Sequence, residues 1–420
     1  MDARAGMPAG LFERSMEPGD GWEVSDVWLE ERGGAQDELH ARVAHRKGQA
    51  AECPVCYRKC GTCGTRERTW RHLDIWQYET IVHCAVPRAD CPEDGVHARR
   101  MPWEVRPSSR FTALFEAQTI VMALSGMAVT AIAHLVHETD TRIWRLLGKA
   151  VAEARDAADY SDVVRVGIDD TARRRGQSCI SIMADLDGQR VIAVAEGRDK
   201  GAVGRLCGEL EEHGGDRTKV QEVTRDMAEA CSLGVAAEMP QAVQTVDRFH
   251  VVQLLNRAID HVRCAEKRRQ LAGTKYVWLQ GKESLTERQL AKREELDPAK
   301  THLRTARACQ MGEALQDVYS CAGRESAARA LDRLCSWMMH SNVREMKTVA
   351  RTLRKEREGI LNWWKRGSTN SFLEGLNSVV QSVRSAARGF RSIAYFRTMI
   401  FLRLGRLDFT AQKKLACATH

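Results

Sequence analysis

The sequence predicts a multidomain α+β protein, and three observations predict it. Cysteines crowd one short stretch, with six of the 14 falling between Cys53 and Cys91. Short runs rich in β-branched residues, separated by charged or Gly-containing turns, occupy residues 163–246. From Val251 onward the apolar residues follow helical spacing and the rest are highly charged. A chain of 420 residues with 43% hydrophobic content has room for two to four domains of ~100–200 residues each.

The formal net charge is +8, and Lys and Arg concentrate in Arg257–Arg269, Arg344–Lys365 and Arg384–Arg406. Such runs are either solvated helix faces or surfaces for acidic partners. Met1–Val24 lacks a basic start followed by an apolar run, so no signal peptide is expected. The most apolar stretch, Ile120–Val136, is broken by Ser125, Gly126, Thr130 and His134. It falls short of the ~20 apolar residues of a membrane span and is expected as two buried helices meeting at Gly126. The eight scattered cysteines suit a reducing compartment, where a buried thiol acts as a small hydrophobe. The expectation is a cytoplasmic protein, associated with the nucleoid if it binds DNA, and without a membrane partner.

Residues 1–49 are polar and charged, and read as an N-terminal segment, partly flexible, with one strand at Trp22–Leu29. The cysteine cluster then occupies residues 50–106. Cys53-Pro-Val-Cys56 has knuckle spacing, Cys60 and Cys63 repeat it, and Cys84 and Cys91 come after a predicted strand at Ile75–Val82. A tetrahedral zinc usually takes two donors from a tight CxxC turn and two from a distant segment. This predicts a structural Zn²⁺ held by Cys53, Cys56 and Cys91. The fourth donor is Cys84, His83 or Asp94; Cys60 and Cys63 are spare or replace one pair.

Residues 107–160 read as a helix-turn-helix. Ala128–Val136 is a short apolar helix, and His137–Asp140 a polar break in which Thr139 or Asp140 can cap the second helix. Thr141–Ala154 places Ile143, Leu146, Leu147 and Val151 at helical spacing, with Arg142, Arg145 and Lys149 on other faces. Basic residues at the start of the second helix are what a major-groove reader requires. A plain αα-hairpin has the same outline.

Strands are predicted at Val163–Ile168, Cys179–Ala184, Val191–Val194, Val220–Val223 and Ala242–Val246, with helices Lys200–His213 and Met227–Ala236 between the later ones. Three meandering strands followed by alternating helices and strands form the ribonuclease-H-like α/β arrangement. Its first part is assigned to residues 161–257, a long all-helical insertion to 258–365, C-terminal helices to 366–410 and a tail to 411–420. Carboxylates stand at three strand ends: Asp169 with Asp170, Asp226, and Asp247. Glu374 lies on a predicted helix between the amides Asn370 and Asn377. Strand-end Asp residues are common turn formers. Several at neighbouring strand ends, with a helix Glu, match the oxygen-rich set that holds two Mg²⁺ or Mn²⁺ ions ~3.5–4 Å apart in phosphoryl transfer.

The chain resembles the bacterial insertion-sequence transposases of the ISL-three family. The resemblance is carried by Cys53–Cys56, Trp70–Asp74, Cys91–Val96, Ser109–Thr112, Gly167–Asp170, Asp185–Gly188, Gly197–Lys200, Asp247–His250 and Thr369–Asn377, in the family's order over roughly residues 50–405. It implies an N-terminal zinc element, a helix-turn-helix, and an Asp-Asp-Glu catalytic domain interrupted by helices. Carried over by position, the catalytic set is Asp169, Asp226 and Glu374. Asp247 and His250 are supporting residues, Asp247 being the alternative second carboxylate. Asp94 stands where the family often has His, which leaves the fourth zinc ligand open.

The function expected is that of a DNA transposase. It would bind the terminal inverted repeats of its element through residues of about 50–155, hold two ends as a homodimer, cleave them and join them to target DNA. Arg384, Arg388 and Arg391 share one face of the last predicted helix and can contact phosphate. The alternative is a sequence-specific DNA-binding repressor without catalysis, which would need only the zinc and helical modules.

Overall fold

A computed structural model of the chain describes residues 9–16, 18–19, 21–33, 36–46, 51–107, 109–172, 179–266, 271–280, 282–296, 303–366, 371–386 and 392–417. The chain divides into two compact units, Met1–Asp156 with Leu407–His420, and Ala157–Arg406.

The first unit opens with helix α1 (Ala9–Met16) and strands β1 (Trp22–Glu30), β2 (Glu38–His45), β3 (Ala51–Glu52), β4 (Lys59–Arg71), β5 (Glu79–Cys91) and β6 (Gly95–Ala98). The sheet order is β1-β2-β5-β4-β3, with β6 paired to β5. β2 runs parallel to β5, whereas β4 is antiparallel to it. Alternation along β5 sends Val82, Cys84 and Val86 into a core with Trp22, Leu39, Val43, Trp70 and Trp103. Residues before 50 thus supply a helix and two strands to this unit, where composition alone predicts one strand. The inward Leu39, Ala41 and Val43 of β2 are what tie them down.

Three helices come next: α2 (Ala113–Leu124), α3 (Val129–Leu135) and α4 (Asp140–Asp156). Thr112 caps α2, its Oγ1 accepting from Phe115 N. Gly126 sits at φ +97° between α2 and α3, a left-handed conformation that glycine adopts without a Cβ penalty. Arg106 joins the layers, with Nη1 2.9 Å from Glu116 Oε2 on α2 and Nε 2.6 Å from Glu153 Oε1 on α4. The predicted tail 411–420 needs correction. Thr410–Cys417 is a helix packed against α2, with Phe409 and Ala416 buried. Burying that apolar surface offsets the cost of ordering the segment.

The second unit contains β7 (Arg165–Ala172), β8 (Cys179–Asp185), β9 (Arg190–Glu196), α5 (Lys200–Glu212), β10 (Glu222–Arg225), α6 (Glu229–Glu238), β11 (Val243–Val246) and α7 (Arg248–Glu266). The sheet order is β11-β10-β7-β8-β9. β7, β8 and β9 form an antiparallel meander, and β10 runs parallel to both β7 and β11. Val166, Ile168, Met183 and Val223 pack with Val203, Leu206 and Leu210 of α5 and Val235 of α6.

Helices Arg304–Tyr319, Arg324–His340, Arg344–Lys355 and Arg357–Leu361 share a separate core with α7 that begins at Val246 and Val251. The boundary expected at 257/258 therefore cuts through α7, which runs unbroken and belongs to this helical core. Gly359 lies so close to β11 that a Cβ there would meet Val246 Cγ2 at 2.7 Å. Helices Ser371–Ala386 and Ile393–Leu404 complete the unit, the second packing on β9. Among the described residues no helix is long and apolar enough to cross a membrane.

Candidate active site and metal centre

The parallel strands β10 and β11 end beside the middle of β7, and acidic residues stand there. Asp169 lies within β7, one residue past the Ile168 that pairs with Arg225 of β10, and β7 continues to Ala172; Asp226 directly follows β10, and Asp247 directly follows β11. The Asp247 N–H donates to Arg225 O at 2.8 Å, so the last two carboxylates are neighbours across the ladder. His250, on the first turn of α7, closes the group. Its Nε2 is 3.4 Å from Asp169 Oδ1 and 3.9 Å from Asp247 Oδ2.

The electrostatics are those of crowded negative charge. Burial lowers the His250 pKa, but the bond to Asp169 and the charges of Asp169, Asp247 and Asp226 outweigh it and leave the imidazole raised. Asp170, on the opposite face of β7, has its pKa raised to about 6, mainly by burial, with Asp226 and Asp169 adding to the shift and a 2.5 Å bond from Ser181 Oγ opposing it. Carboxylates gathered at sheet-strand ends with a single imidazole among them are a fitting seat for divalent cations held by hard oxygen donors. Two of these aspartates also order their own turns: Asp226 Oδ1 accepts from Ala228 N at 2.9 Å, and Asp247 Oδ1 from Phe249 N at 2.8 Å.

Sequence reasoning missed the support beneath Asp226. Arg225 is 5% exposed, and its guanidinium makes three bonds. Nη2 pairs with Glu356 Oε2 at 2.9 Å, Nε donates to Gln244 Oε1 at 2.6 Å, and Nη1 donates to the Asp226 carbonyl at 2.7 Å. Asn362 Nδ2 adds a bond to Gln244 O at 2.9 Å. The helical core is thereby fastened to the strand end that carries Asp226. In the sequence the arginine is one charge among many, and nothing local marks its partners.

Glu374 lies in the first turn of helix Ser371–Ala386; its side chain and that of Asn377 lie outside those described. Asn370, Arg388 and Arg391 lie outside the described residues. Arg384, on the same helix as Glu374, bonds Gln381 Oε1.

In the first unit, two turns bring a set of soft and hard donors together. The β3–β4 turn carries Cys53 and Cys56, held by Cys53 N–H to Arg58 O at 2.9 Å and by Tyr57 at φ +59°. Cys91 ends β5, and Asp94 stands in the turn to β6. Donor atoms of Cys53, Cys56, Cys91 and Asp94 all lie within 4.8 Å of one another. Asp94 Oδ2 is 3.3 Å from both Cys53 Sγ and Cys91 Sγ, and Cys56 Sγ is 3.6 Å from Cys91 Sγ. Tetrahedral Zn–S and Zn–O bonds of about 2.3 and 2.1 Å would place such atoms about 3.6–3.8 Å apart, so the set fits the ion. Thiols of Cys56, Cys53 and Cys91, in that order, hold the Asp94 carboxyl below its usual range.

Cys84, expected among the ligands, is corrected. It points into the core with Val82 and Val86, where burial pushes its thiol up to about 12. It lies seven residue steps along the strand from Cys91, roughly 23 Å at ~3.3 Å per residue. His83 instead meets His40, with 2.8 Å between their ring nitrogens. Cys60 is buried beside Cys53 and Cys91, its Sγ donating to Arg58 O at 3.2 Å. Cys63 is half-buried outside the four-donor set.

Helices α3 and α4 meet through a turn with His137 at φ +51°. Ile143, Leu146, Leu147 and Val151 are buried, whereas Arg145 and Lys149 lie one turn apart on α4, outside that buried stripe. Arg142 is partly withdrawn, with Nη1 2.6 Å from Glu138 Oε1 and its guanidinium 4.6 Å from the centre of the Phe111 ring.

Comparison with known proteins matches each of these parts. A DDE-class transposase family model covers residues 166–400, the helix-turn-helix domain of transposase family ISL3 covers 101–151, and the zinc-finger of transposase IS204/IS1001/IS1096/IS1165 covers 49–94. The transposase for insertion sequence element IS1557 of Mycobacterium tuberculosis is 27% identical over 404 residues, 88% of this chain and 89% of that protein. The transposase for IS1001 of Bordetella parapertussis is 25% identical over 357 residues, 82% of this chain and 86% of that protein. With more than half its length matched by the catalytic family model, and its two N-terminal modules matched in order, the chain belongs to the ISL3 family of DNA transposases.

Proposed function

We propose that this transposase binds the terminal inverted repeats of its own insertion sequence through the helix-turn-helix and zinc modules, and cuts and joins DNA at the strand-end carboxylates. The observation that carries the reading is the convergence of Asp169, Asp226 and Asp247 with His250. The meander followed by parallel strands, in the order β11-β10-β7-β8-β9, supports a ribonuclease-H-like core. Asp169 and Asp226 hold the metals with Glu374 as the third ligand; Asp247 is the alternative second carboxylate. Two Mg²⁺ or Mn²⁺ ions there supply activation of the attacking oxygen and stabilisation of the leaving one. His250 orients Asp169 through their contact, and Arg225 steadies the backbone of Asp226.

Zn²⁺ at Cys53, Cys56, Cys91 and Asp94 is structural. All four positions come from the protein, leaving none open for chemistry. Arg145 and Lys149 face the DNA, with Arg142 beside them and Arg384 on the catalytic unit. Two copies hold two ends, which makes the working form a homodimer.

The test is cleavage of end-containing DNA in Mg²⁺. Asp169→Ala, Asp226→Ala and Glu374→Ala each abolish cleavage and strand transfer while end binding persists, because basic side chains set affinity and the carboxylates act on the transition state. Asp247→Ala decides the second position: activity lost there but kept in Asp226→Ala moves the assignment. Normal cleavage by all four variants would remove these carboxylates from the cutting site, whereas end binding without any cleavage by the unaltered chain would leave a DNA-binding protein without catalysis.

A further inference from the structure

A second group of donors lies in the first unit, away from the cysteine cluster. Glu30 ends β1 and Glu38 begins β2, and the two stand directly opposite each other in the antiparallel ladder. Like charges facing each other across a strand pair are destabilising. Arg32 relieves one side, with Nη1 2.7 Å from Glu38 Oε1. The other Glu38 oxygen turns toward His40, whose Nε2 is 3.3 Å from Glu38 Oε2 and 3.1 Å from Glu30 Oε2.

His40 is built as a ligand would be. Its side chain is 7% exposed, and its buried Nε2 has no hydrogen bond of good geometry, although two carboxylate oxygens are this near. The other nitrogen, Nδ1, is 2.8 Å from His83 Nε2. In the tautomer that donates from Nδ1 to His83, Nε2 presents its lone pair, the arrangement in which a metal-binding histidine is fixed by its second nitrogen. Trp28 stacks on the His40 ring at 5.1 Å and 11°, which holds the ring plane.

We propose that Glu30, Glu38 and His40 form a second divalent-metal site, a clip at the loop end of the β1–β2 hairpin, with zinc or a similar borderline ion as its occupant. Donor atoms of the three lie within 4.8 Å of one another. Two ligands each about 2.0–2.1 Å from a tetrahedral zinc stand about 3.3–3.4 Å apart, close to the separations found around His40 Nε2. One nitrogen and two carboxylates leave a position for water on the side where Glu30 is exposed. Oxygen and imidazole donors without sulfur set this site apart from the cysteine cluster in chemistry as well as in place.

The experiment is equilibrium dialysis of the full chain against Zn²⁺ in excess Mg²⁺, followed by elemental analysis. Excess Mg²⁺ keeps the strand-end carboxylates occupied. His40→Ala and Glu30→Gln are each expected to bind one zinc equivalent fewer than the unaltered chain, while the cysteine-bound equivalent remains. Co²⁺ titration gives a second reading: the equivalent lost in the variants contributes no thiolate charge-transfer band. Glu30 is exposed, so its variant carries the test even if His40→Ala fails to fold. Equal zinc content in the unaltered chain and Glu30→Gln, or loss of the thiolate band along with the missing equivalent, overturns the proposal.

Discussion

Replacing Arg225 with Met tests how the helical core supports the carboxylate edge. Arg225 and Glu356 are 5% and 8% exposed as side chains, and their pairing distance is 2.9 Å. Removing the guanidinium leaves the Glu356 carboxylate buried without its partner and frees Gln244 Oε1 and the Asp226 carbonyl. Breaking a buried pair from one side costs about 3–5 kcal/mol, whereas replacing both partners with apolar residues is often near neutral. Arg225→Met should therefore destabilise the Ala157–Arg406 unit by about 3–5 kcal/mol, a large share of the ~5–15 kcal/mol typical of a domain. Arg225→Met/Glu356→Met should recover most of that loss. Urea titration read by proteolysis, which reports this unit separately from the other, measures both. In conditions where the single variant is still folded, end cleavage should fall while end binding stays, since the backbone under Asp226 has lost its tether. A single-variant cost below about 0.5 kcal/mol, or a double variant as unstable as the sum of the two singles, refutes the reasoning.

The zinc module, the helix-turn-helix and the Arg106 junction each give a further test. Cys53→Ser, Cys91→Ser and Asp94→Ala should lose the tightly bound zinc and destabilise the first unit, because ligand binding is folding energy in such modules; Cys84→Ala should retain zinc, and its loss there would reinstate Cys84 as a ligand. Arg145→Ala and Lys149→Ala should weaken binding to end DNA and lower the salt slope by roughly one per phosphate contact removed; unchanged affinity in both would exclude this face of α4 as the reader. Arg106→Ala leaves Glu116, 2% exposed as a side chain, without its cation and should cost about 3 kcal/mol, visible as a lower melting temperature of the first unit; an unshifted melt would show that Ser109, which donates to Glu116 at 2.5 Å, is sufficient.

Local information is enough for much of the second unit. The strand runs between Val163 and Val246 are short, β-branched and closed by Gly or Asp turns, so their period and ends are written in adjacent residues. The strand-end positions of Asp226 and Asp247 come with them. The helix break at His137–Asp140 is equally legible, because a polar capping stretch between apolar helices is a local signal. By contrast, β4 carries glycines, charges and no apolar alternation, and is a strand because β5 and β3 hydrogen-bond along it.

Read alone, the chain yields an inventory: a knuckle of cysteines, a helix-turn-helix, carboxylates at strand ends and the order of these parts. Which of them meet is settled by packing in three dimensions. Cys84 and Asp94 are both open as the fourth donor on spacing, and the choice falls to the face that β5 turns inward and the turn after Cys91. Arg225 and Glu356 are 131 residues apart, and no local pattern marks them as partners. Spacing along a chain limits which side chains can share a turn, whereas sheet register and core packing choose which distant ones share a site.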